Sequence, residues 1–248
     1  MTATMKPDSG PESLLGARIP PPKGDYKWVY LWGLPIRAMH WIAAAAITLL
    51  VVSGLYIGWP FFHGSDPSGL IMTRFRQVHF LAAVALATAA VVRIYWLVAG
   101  NRFERIRALF PLRGRDFANL FRMIKFYMMI QPEKAPHYLG HNPLQQLNYT
   151  LTYVLALVEV ITGFVMYGQA WPTGNIYALT NWMLPVFGGI QNVRLVHHSL
   201  TWWFLIFVLT HVYFAFRSDV VEGGGTVSSI VTGGRYFRAN RHYEDEHG

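Results

Sequence analysis

The sequence predicts an all-α membrane protein built as a four-helix transmembrane bundle with both termini on the cytoplasmic side. Of its 248 residues, 53% are hydrophobic and only 14% are charged, whereas a soluble domain carries about 25% charged residues. The charged residues are also unevenly placed, because residues 38–62 contain no Lys, Arg, Asp or Glu. Since a helix needs roughly 20 predominantly apolar residues to cross a bilayer, such stretches predict membrane spans.

Four spans are expected within a membrane domain that covers residues 29–220. The second span contains Arg93 and the third contains Glu159, whereas the other two contain no Lys, Arg, Asp or Glu. Residues 179–190 are also apolar, but this segment is short and interrupted by proline and glycine, so we expect it to lie at the membrane interface. The predicted spans are 39–59, 78–98, 149–167 and 196–216.

The segments outside the spans are expected to be cytoplasmic tails. Residues 1–28 are rich in Pro, Gly and Lys and predict a disordered tail, and residues 221–248 form the second tail. No apolar stretch of the kind found in a cleavable signal peptide occurs in the first thirty residues. Lys and Arg number five before the first span and eight between the second and third spans, but only three in the two other connections. Such clusters mark the cytoplasmic side.

The composition excludes several kinds of site. The chain has no cysteine, which excludes disulfides, thiolate zinc sites, iron–sulfur clusters and a C-x-x-C-H attachment for covalent haem. The positive residues behind the net charge of +8 are concentrated in the loops and tails on one side of the predicted bundle. It therefore reports membrane orientation, and we expect no binding of nucleic acid.

Five histidines lie in the predicted spans. Four of them are at the ends of the first, second and fourth spans, and one lies inside the fourth. His40 opens the first span at the cytoplasmic side, and His79 opens the second at the outer side. In the fourth span His197 and His211 are 14 positions apart, so at about 100° per residue they point within roughly 40° of the same direction. From His198 to His211 the mismatch is about 140°, but which of the two adjacent histidines faces the interior stays open.

These histidines form two pairs, one near each leaflet. The rise between His197 and His211 is about 21 Å, most of a hydrocarbon core of roughly 30 Å. His79 lies at the depth of His197, and His40 approaches the depth of His211.

The two pairs indicate a functional site. A single histidine at a helix end usually forms hydrogen bonds with the backbone or with lipid headgroups, but ionisable groups inside a membrane are costly and mark functional sites. Zinc needs three or four converging ligands, whereas a metal in a four-nitrogen macrocycle needs two, so the pairs predict two non-covalent haem b groups.

Each of the paired histidines has an arginine close to it in the sequence. RAMHW, RQVHF and RLVHH each place an arginine three positions before a histidine, one turn nearer water, and another follows His211 after six positions. Arginines at span ends also serve as ordinary headgroup anchors, so two interpretations stay open. In the second, the guanidinium groups bind the carboxylates of the macrocycle. The candidate propionate contacts are Arg37, Arg76, Arg194 and Arg217.

Short phrases along the chain resemble one known family. The chain contains, in this order, RAMHW, SGLYIGWP, RQVHF, RIYWLVAGN, YLGHNPL, ITGFVMYG, VHHSLTWWF, HVYFAFRSDV and VTGGRYF. Together they resemble the cytochrome b subunit of membrane-bound nickel–iron uptake hydrogenases, in the group that includes formate dehydrogenase gamma subunits and cytochrome b561-like proteins. The resemblance implies that His40 and His211 ligate the iron of a cytoplasmic-side haem, and that His79 and His197 ligate that of a periplasmic-side haem.

The resemblance also implies partners and a location. It implies a bacterial inner-membrane protein that contacts the C-terminal membrane helix of a hydrogenase small subunit, and through it the large subunit, with quinone as electron acceptor. The chain itself is expected to carry no catalytic residue, because the chemistry belongs to the cofactors. The sequence departs from the family at Glu159, where an apolar residue is common, and at Arg194, in a segment often richer in histidine.

Several alternatives stay open. The partner could be a formate or thiosulfate dehydrogenase, or the protein could be a stand-alone quinone oxidoreductase. A haem-free transporter or anchor is the alternative from another class, although no inverted repeat or broken helix pair is evident. Glu159 is interpreted as a member of a buried structural pair, with Arg93 as a candidate partner and a proton route to quinone as the alternative. His141 is interpreted as a turn residue before the third span, with a place in a quinone pocket as the alternative.

Overall fold

The computed structural model describes residues 24–61, 68–111, 114–130 and 136–246, and most of them are helical. Four of the helices are long and apolar enough to cross a membrane. Each covers its predicted span to within one residue, so the prediction of four candidate spans is confirmed. The helices are α1 (Leu34–Gly58), α2 (Leu70–Ala99), α3 (Gly114–Tyr127), α4 (Pro143–Gln169), α5 (Asn175–Thr180), α6 (Met183–Phe187), α7 (Ile190–Glu222) and α8 (Thr226–Thr232).

Local sequence explains where α4 begins. The side chain of Asn142 accepts a hydrogen bond from the amide of Gln145, and the side chain of Gln145 accepts one from the amide of Asn142, both at 3.0 Å. Pro143 occupies the first helical position, where its missing N–H costs nothing. This reciprocal capping box fixes the start of the third membrane helix.

The apolar segment 179–190 does not form a span, as the sequence predicts. It contributes to the two short helices α5 and α6. Gly188 ends α6 in the left-handed conformation, with φ of 75°, which glycine adopts without steric cost.

The N-terminal and C-terminal parts of the chain form a two-stranded sheet. Strands β1 (Tyr26–Tyr30) and β2 (Gly234–Arg238) are antiparallel, with Trp28 opposite Tyr236. The predicted disordered tail extends to residue 28, but its last three residues belong to β1, and this part of the prediction is corrected. The aromatic and β-branched residues of β1 pair with a distant strand, which local composition cannot reveal.

The chain folds as two compact units. The first contains the described parts of Met1–His40, Arg93–Tyr149 and His211–Gly248, including the sheet, α3 and α8. The second consists of the described parts of Trp41–Val92 and Thr150–Thr210, and so contains the middle portions of the four long helices.

Two carboxylates hold the loops of the first unit together. The buried Glu104 carboxylate accepts hydrogen bonds from the indole of Trp96 at 2.9 Å and from the amide of Asn101 at 3.0 Å. Near the C-terminus, the Asp245 carboxylate accepts from two consecutive amides, of Leu139 at 2.6 Å and Gly140 at 2.7 Å. These bonds fix the loop that precedes α4.

Candidate metal centres

One histidine pair lies in the first unit. His40 of α1 and His211 of α7 have ring centroids 6.2 Å apart, with their planes inclined by 49°. Tyr149 of α4 contacts the His211 ring edge-on, at 6.0 Å between centroids. The two histidines assigned to the cytoplasmic side by the sequence therefore lie side by side.

The second pair lies in the second unit. His79 of α2 and His197 of α7 have ring centroids 6.4 Å apart, with planes inclined by 61°. The ring of the adjacent His198 instead lies against Gly58 of α1, where an added methyl group would be 3.1 Å from its Cε1 atom. Of the two adjacent histidines, His197 is thus the one that faces His79.

Both separations fit a single metal atom held between two imidazoles. A metal–imidazole nitrogen bond measures about 2 Å and the nitrogen lies roughly 1 Å from the ring centre, so opposed imidazoles on one metal have ring centres about 6 Å apart. The distances of 6.2 and 6.4 Å agree with this geometry. Among the described residues, no three His, Cys, Asp or Glu side chains gather into a metal site of their own.

Two hydroxyl groups fix the protonation of the second pair. The Ser53 hydroxyl lies 2.9 Å from Nδ1 of His79, and the Thr162 hydroxyl lies 2.9 Å from Nδ1 of His197. Each hydroxyl donates its only hydrogen to the carbonyl four residues earlier in its own helix, at 2.5 and 2.8 Å. The hydroxyl oxygen is then an acceptor for the Nδ1–H of the imidazole. This leaves the lone pair of Nε2 available for a metal.

A glycine follows each of these hydroxyl residues. A Cβ atom on Gly54 would lie 3.2 Å from Cε1 of His79, and one on Gly163 would lie 3.4 Å from Cε1 of His197. Glycine therefore lets each imidazole lie against the backbone of the neighbouring helix. Ser53 and Thr162 are not among the predicted site residues, although the phrases VSGLY and ITGFV place a hydroxyl–glycine pair in both the first and the third span.

Glu159 lies beside the second pair. Its Oε2 atom is 3.5 Å from Nδ1 of His197 and has no hydrogen-bond partner within the described part of the chain. Arg93 instead donates to the backbone carbonyl of Glu104 at 2.9 Å. The pairing of Arg93 with Glu159 stays a prediction.

Two arginines in the first unit have buried N–H groups that lack a partner among the described residues. They are Nε of Arg37 and Nη1 of Arg217. Arg37 also donates through Nη1 to a backbone carbonyl of α8, and the Arg217 guanidinium stacks over the Phe126 ring at 4.7 Å. An unpaired buried donor costs about 1–3 kcal/mol, so both groups fit a carboxylate such as a haem propionate. Arg76 and Arg194 are exposed, and their propionate contacts stay predictions.

His141 is buried between aromatic rings of the first unit. It stacks on Trp32 at 4.9 Å and meets Tyr149 edge-on at 4.8 Å. Burial lowers the pKa of His141 to about 3, with smaller contributions from the positive charges of nearby groups. The side chain is therefore neutral at physiological pH. Its position just before the capping box of α4 agrees with the expected turn role, and a place in a quinone pocket stays a hypothesis.

The family follows from a match over most of the chain. The family model described as prokaryotic cytochrome b561 matches residues 31–233. This chain belongs to the prokaryotic cytochrome b561 family. Together with the four long apolar helices, family membership makes it a multi-pass membrane protein.

Curated relatives of this cytochrome b561 protein carry hydrogenase names. The probable Ni/Fe-hydrogenase B-type cytochrome subunit of Azotobacter chroococcum mcd 1 is 34% identical over 219 residues, which cover 86% of this chain and 90% of the relative. The protein of the same name from Cupriavidus necator is 33% identical over 217 residues, covering 86% and 88%. The probable Ni/Fe-hydrogenase 1 B-type cytochrome subunit of Escherichia coli K12 is 27% identical over 213 residues, covering 83% and 90%.

The cytochrome b561 family implies haem b, which is held without covalent bonds to cysteine. The chain has no cysteine. Its imidazole pairs have the spacing of axial ligands, and the unpaired guanidinium donors of the first unit suit a group that carries carboxylates. The residues of this chain therefore fit the cofactor of the family.

Proposed function

We propose that this chain is the di-haem membrane subunit of a nickel–iron hydrogenase and connects hydrogen oxidation by a periplasm-facing partner to the reduction of quinone. The observation that carries this proposal is the presence of two imidazole pairs with centroid separations of 6.2 and 6.4 Å. In the proposal His40 and His211 ligate one haem iron, and His79 and His197 ligate the other. The names of the relatives support the hydrogenase partner.

Bound haem b supplies one-electron transfer at its iron. The role of the chain is to bind and orient. Ser53 and Thr162 hold the protons of their partner imidazoles on Nδ1, so each Nε2 can act as a ligand. With two histidines of the chain as its ligands, each haem iron would have no open position for oxygen, which would favour electron transfer. In this proposal no side chain of the protein acts as a catalytic nucleophile or as a catalytic acid or base.

The orientation belongs to the same proposal. Four Lys and Arg residues precede α1 and eight lie between α2 and α4. Because two spans separate these segments, both lie on the same side of the membrane. We assign that side to the cytoplasm of a bacterial inner membrane. The hydrogenase small subunit then meets the chain from the opposite side through its C-terminal membrane helix.

Spectroscopy of the purified protein tests the haem assignment. The reduced-minus-oxidised and pyridine haemochrome spectra should give two b-type haems per chain. We expect His40→Ala and His211→Ala to lose the same haem, and His79→Ala and His197→Ala to lose the other. A native preparation without haem, or losses that divide the histidines differently, would overturn the proposal.

Co-purification tests the partner. An affinity tag on this chain should retain a nickel–iron enzyme from gently solubilised membranes, and the complex should reduce a quinone analogue with hydrogen. Retention of a molybdenum enzyme would instead support the formate or thiosulfate dehydrogenase alternative. A di-haem protein that retains no enzyme in its native host would favour a stand-alone quinone oxidoreductase.

A further inference from the structure

Helix α3 turns a polar and aromatic face toward the rest of the first unit. Asp116, Asn119, Met123 and Phe126 are buried, and at about 100° per residue they lie within one arc of roughly 80°. Asn119 donates to the hydroxyl of Tyr138 at 2.8 Å. The protein-facing side of α3 is thus well defined.

The opposite side of α3 carries two different strips. Phe117 and Phe121 are 57% and 65% exposed and lie about 40° apart around the helix, directly opposite the buried arc. Arg122 and Lys125 are also exposed, and they lie roughly 80–140° around the helix from Phe117. An exposed apolar strip beside a basic strip is typical of helices that lie in a membrane interface.

The position of α3 in the chain places it at the membrane surface. The connection from α2 consists of residues 100–113, and the connection to α4 consists of residues 128–142. Both neighbouring helices are long enough to cross the membrane, so their adjoining ends reach the same surface. Since the polar loop before α4 is tied to the first unit by Asp245, α3 remains near that surface.

We propose that α3 docks on the anionic headgroups of the leaflet that its neighbouring spans reach, with Phe117 and Phe121 among the upper acyl chains. Arg122 and Lys125 bind lipid phosphates at the boundary with water. The opposite charge of cationic side chains and anionic lipid, together with the adjoining spans, favours a lipid occupant over a soluble protein. This surface is independent of the haem and hydrogenase proposal.

Because the chain has no cysteine, single-cysteine variants give each position its own thiol reporter. Full-length Phe117→Cys, Phe121→Cys and Ala118→Cys proteins are reconstituted separately in vesicles of phosphatidylcholine and phosphatidylglycerol. Each is treated on both membrane sides with an uncharged water-soluble maleimide or with N-phenylmaleimide, and labelling is followed by mass. Ala118 is the matched control, because it lies about 100° from Phe117, in the basic strip.

We expect the thiols at 117 and 121 to react severalfold more slowly than that at 118 with the water-soluble reagent, but readily with N-phenylmaleimide. Equal reaction of all three with the water-soluble reagent would show that the apolar strip faces water and would overturn the proposal. Slow reaction at 117 and 121 with both reagents would show cover by protein, such as a second copy, and would overturn it as well.

The anionic part of the proposal has its own test. The Phe121→Cys protein is compared with a form that also carries Arg122→Gln and Lys125→Gln, in vesicles with and without phosphatidylglycerol. Each cation near an anionic surface favours it by roughly fivefold, so the protection of the thiol should increase with phosphatidylglycerol only when both cations are present. Protection that is independent of phosphatidylglycerol would rule out specific docking on anionic lipid.

Discussion

The hydroxyl of Thr162 lies 2.9 Å from Nδ1 of His197. The same contact at the same distance joins Ser53 to His79, so α4 and α1 each support an imidazole of another helix in the same way. Because both hydroxyls use their hydrogen on a backbone carbonyl, both imidazoles present a lone pair on Nε2. His79 and His197 are therefore chemically matched, and each would offer the same nitrogen to a metal.

The first prediction concerns Thr162→Val, which keeps the shape of the side chain and removes the hydroxyl. Because the proposed ligand His197 itself is retained, we expect haem binding to weaken rather than disappear. Loss of an outer hydrogen bond to a metal ligand typically lowers metal affinity by about 10–100-fold. Since the imidazole becomes a weaker donor, the midpoint potential of this haem should rise. Haem content and a redox titration measure both effects.

The matched controls restore the hydroxyl. Thr162→Ser should retain the potential of the native protein, whereas Thr162→Val should not. At the equivalent position of α1, Ser53→Thr should resemble the native protein and Ser53→Ala should resemble Thr162→Val. Identical potentials in the hydroxyl and hydroxyl-free variants would show that these contacts only pack the helices.

The second prediction concerns the glycine beside each hydroxyl. In Gly54→Ala the new methyl would lie 3.2 Å from Cε1 of His79, tighter than ordinary van der Waals contact. The imidazole must move, so we expect loss of the haem held by His79 and a lower melting temperature. Gly163→Ala, with 3.4 Å to His197, should have a smaller effect. Equal haem content and melting temperature in native and Gly54→Ala proteins would contradict the proposed close approach.

The membrane helices and the pairing of histidines could be predicted from the sequence because both depend on local regularities. Apolar length predicts a span, and the helical period relates His197 to His211. The capping box of Asn142 and Gln145 is equally local. These features need no knowledge of distant parts of the chain.

Features that depend on distant residues could not be predicted in the same way. The pairing of β1 with β2 joins segments about two hundred residues apart, and neither segment alone reveals its partner. The contact of Asp245 with the amide of Leu139 likewise has no local signal. The contact of Glu159 with His197 depends on the rotation of α4, which local sequence does not determine.

The third prediction concerns the unpaired donor of Arg217. If this guanidinium binds a propionate, Arg217→Gln removes a cation near the haem that we assign to His40 and His211. The reduced, more negative form is then stabilised less, so its midpoint potential should fall by on the order of 60 mV, equivalent to about 1.4 kcal/mol. Arg217→Lys should preserve most of the potential. A redox titration of the purified protein distinguishes the variants.

A surface arginine of the same unit provides the control for charge. Arg102 stacks on Phe103 and donates to the carbonyl of Glu246, and it lies outside the four long helices. Arg102→Gln removes the same charge but should leave the potential almost unchanged. If both glutamine variants shift the potential equally, the effect comes from net charge and not from a contact of Arg217.

The fourth prediction concerns pH and the buried His141. Its pKa of about 3 in the folded protein lies below the ordinary value of about 6.5. Between these two pKa values the unfolded chain binds more protons than the folded chain, so the free energy of unfolding should decrease as the pH falls below about 6.5 and be unaffected above it.

The variant His141→Phe keeps an aromatic ring in contact with Trp32 and removes the titration. The other histidines titrate in both proteins, and therefore the difference between the two isolates His141. From pH 7 to pH 5 the native protein should lose about 2 kcal/mol relative to the variant, measured by denaturant unfolding in one detergent. Parallel stability profiles would mean that His141 binds a proton as readily in the fold as in the unfolded chain, and would contradict its burial between Trp32 and Tyr149.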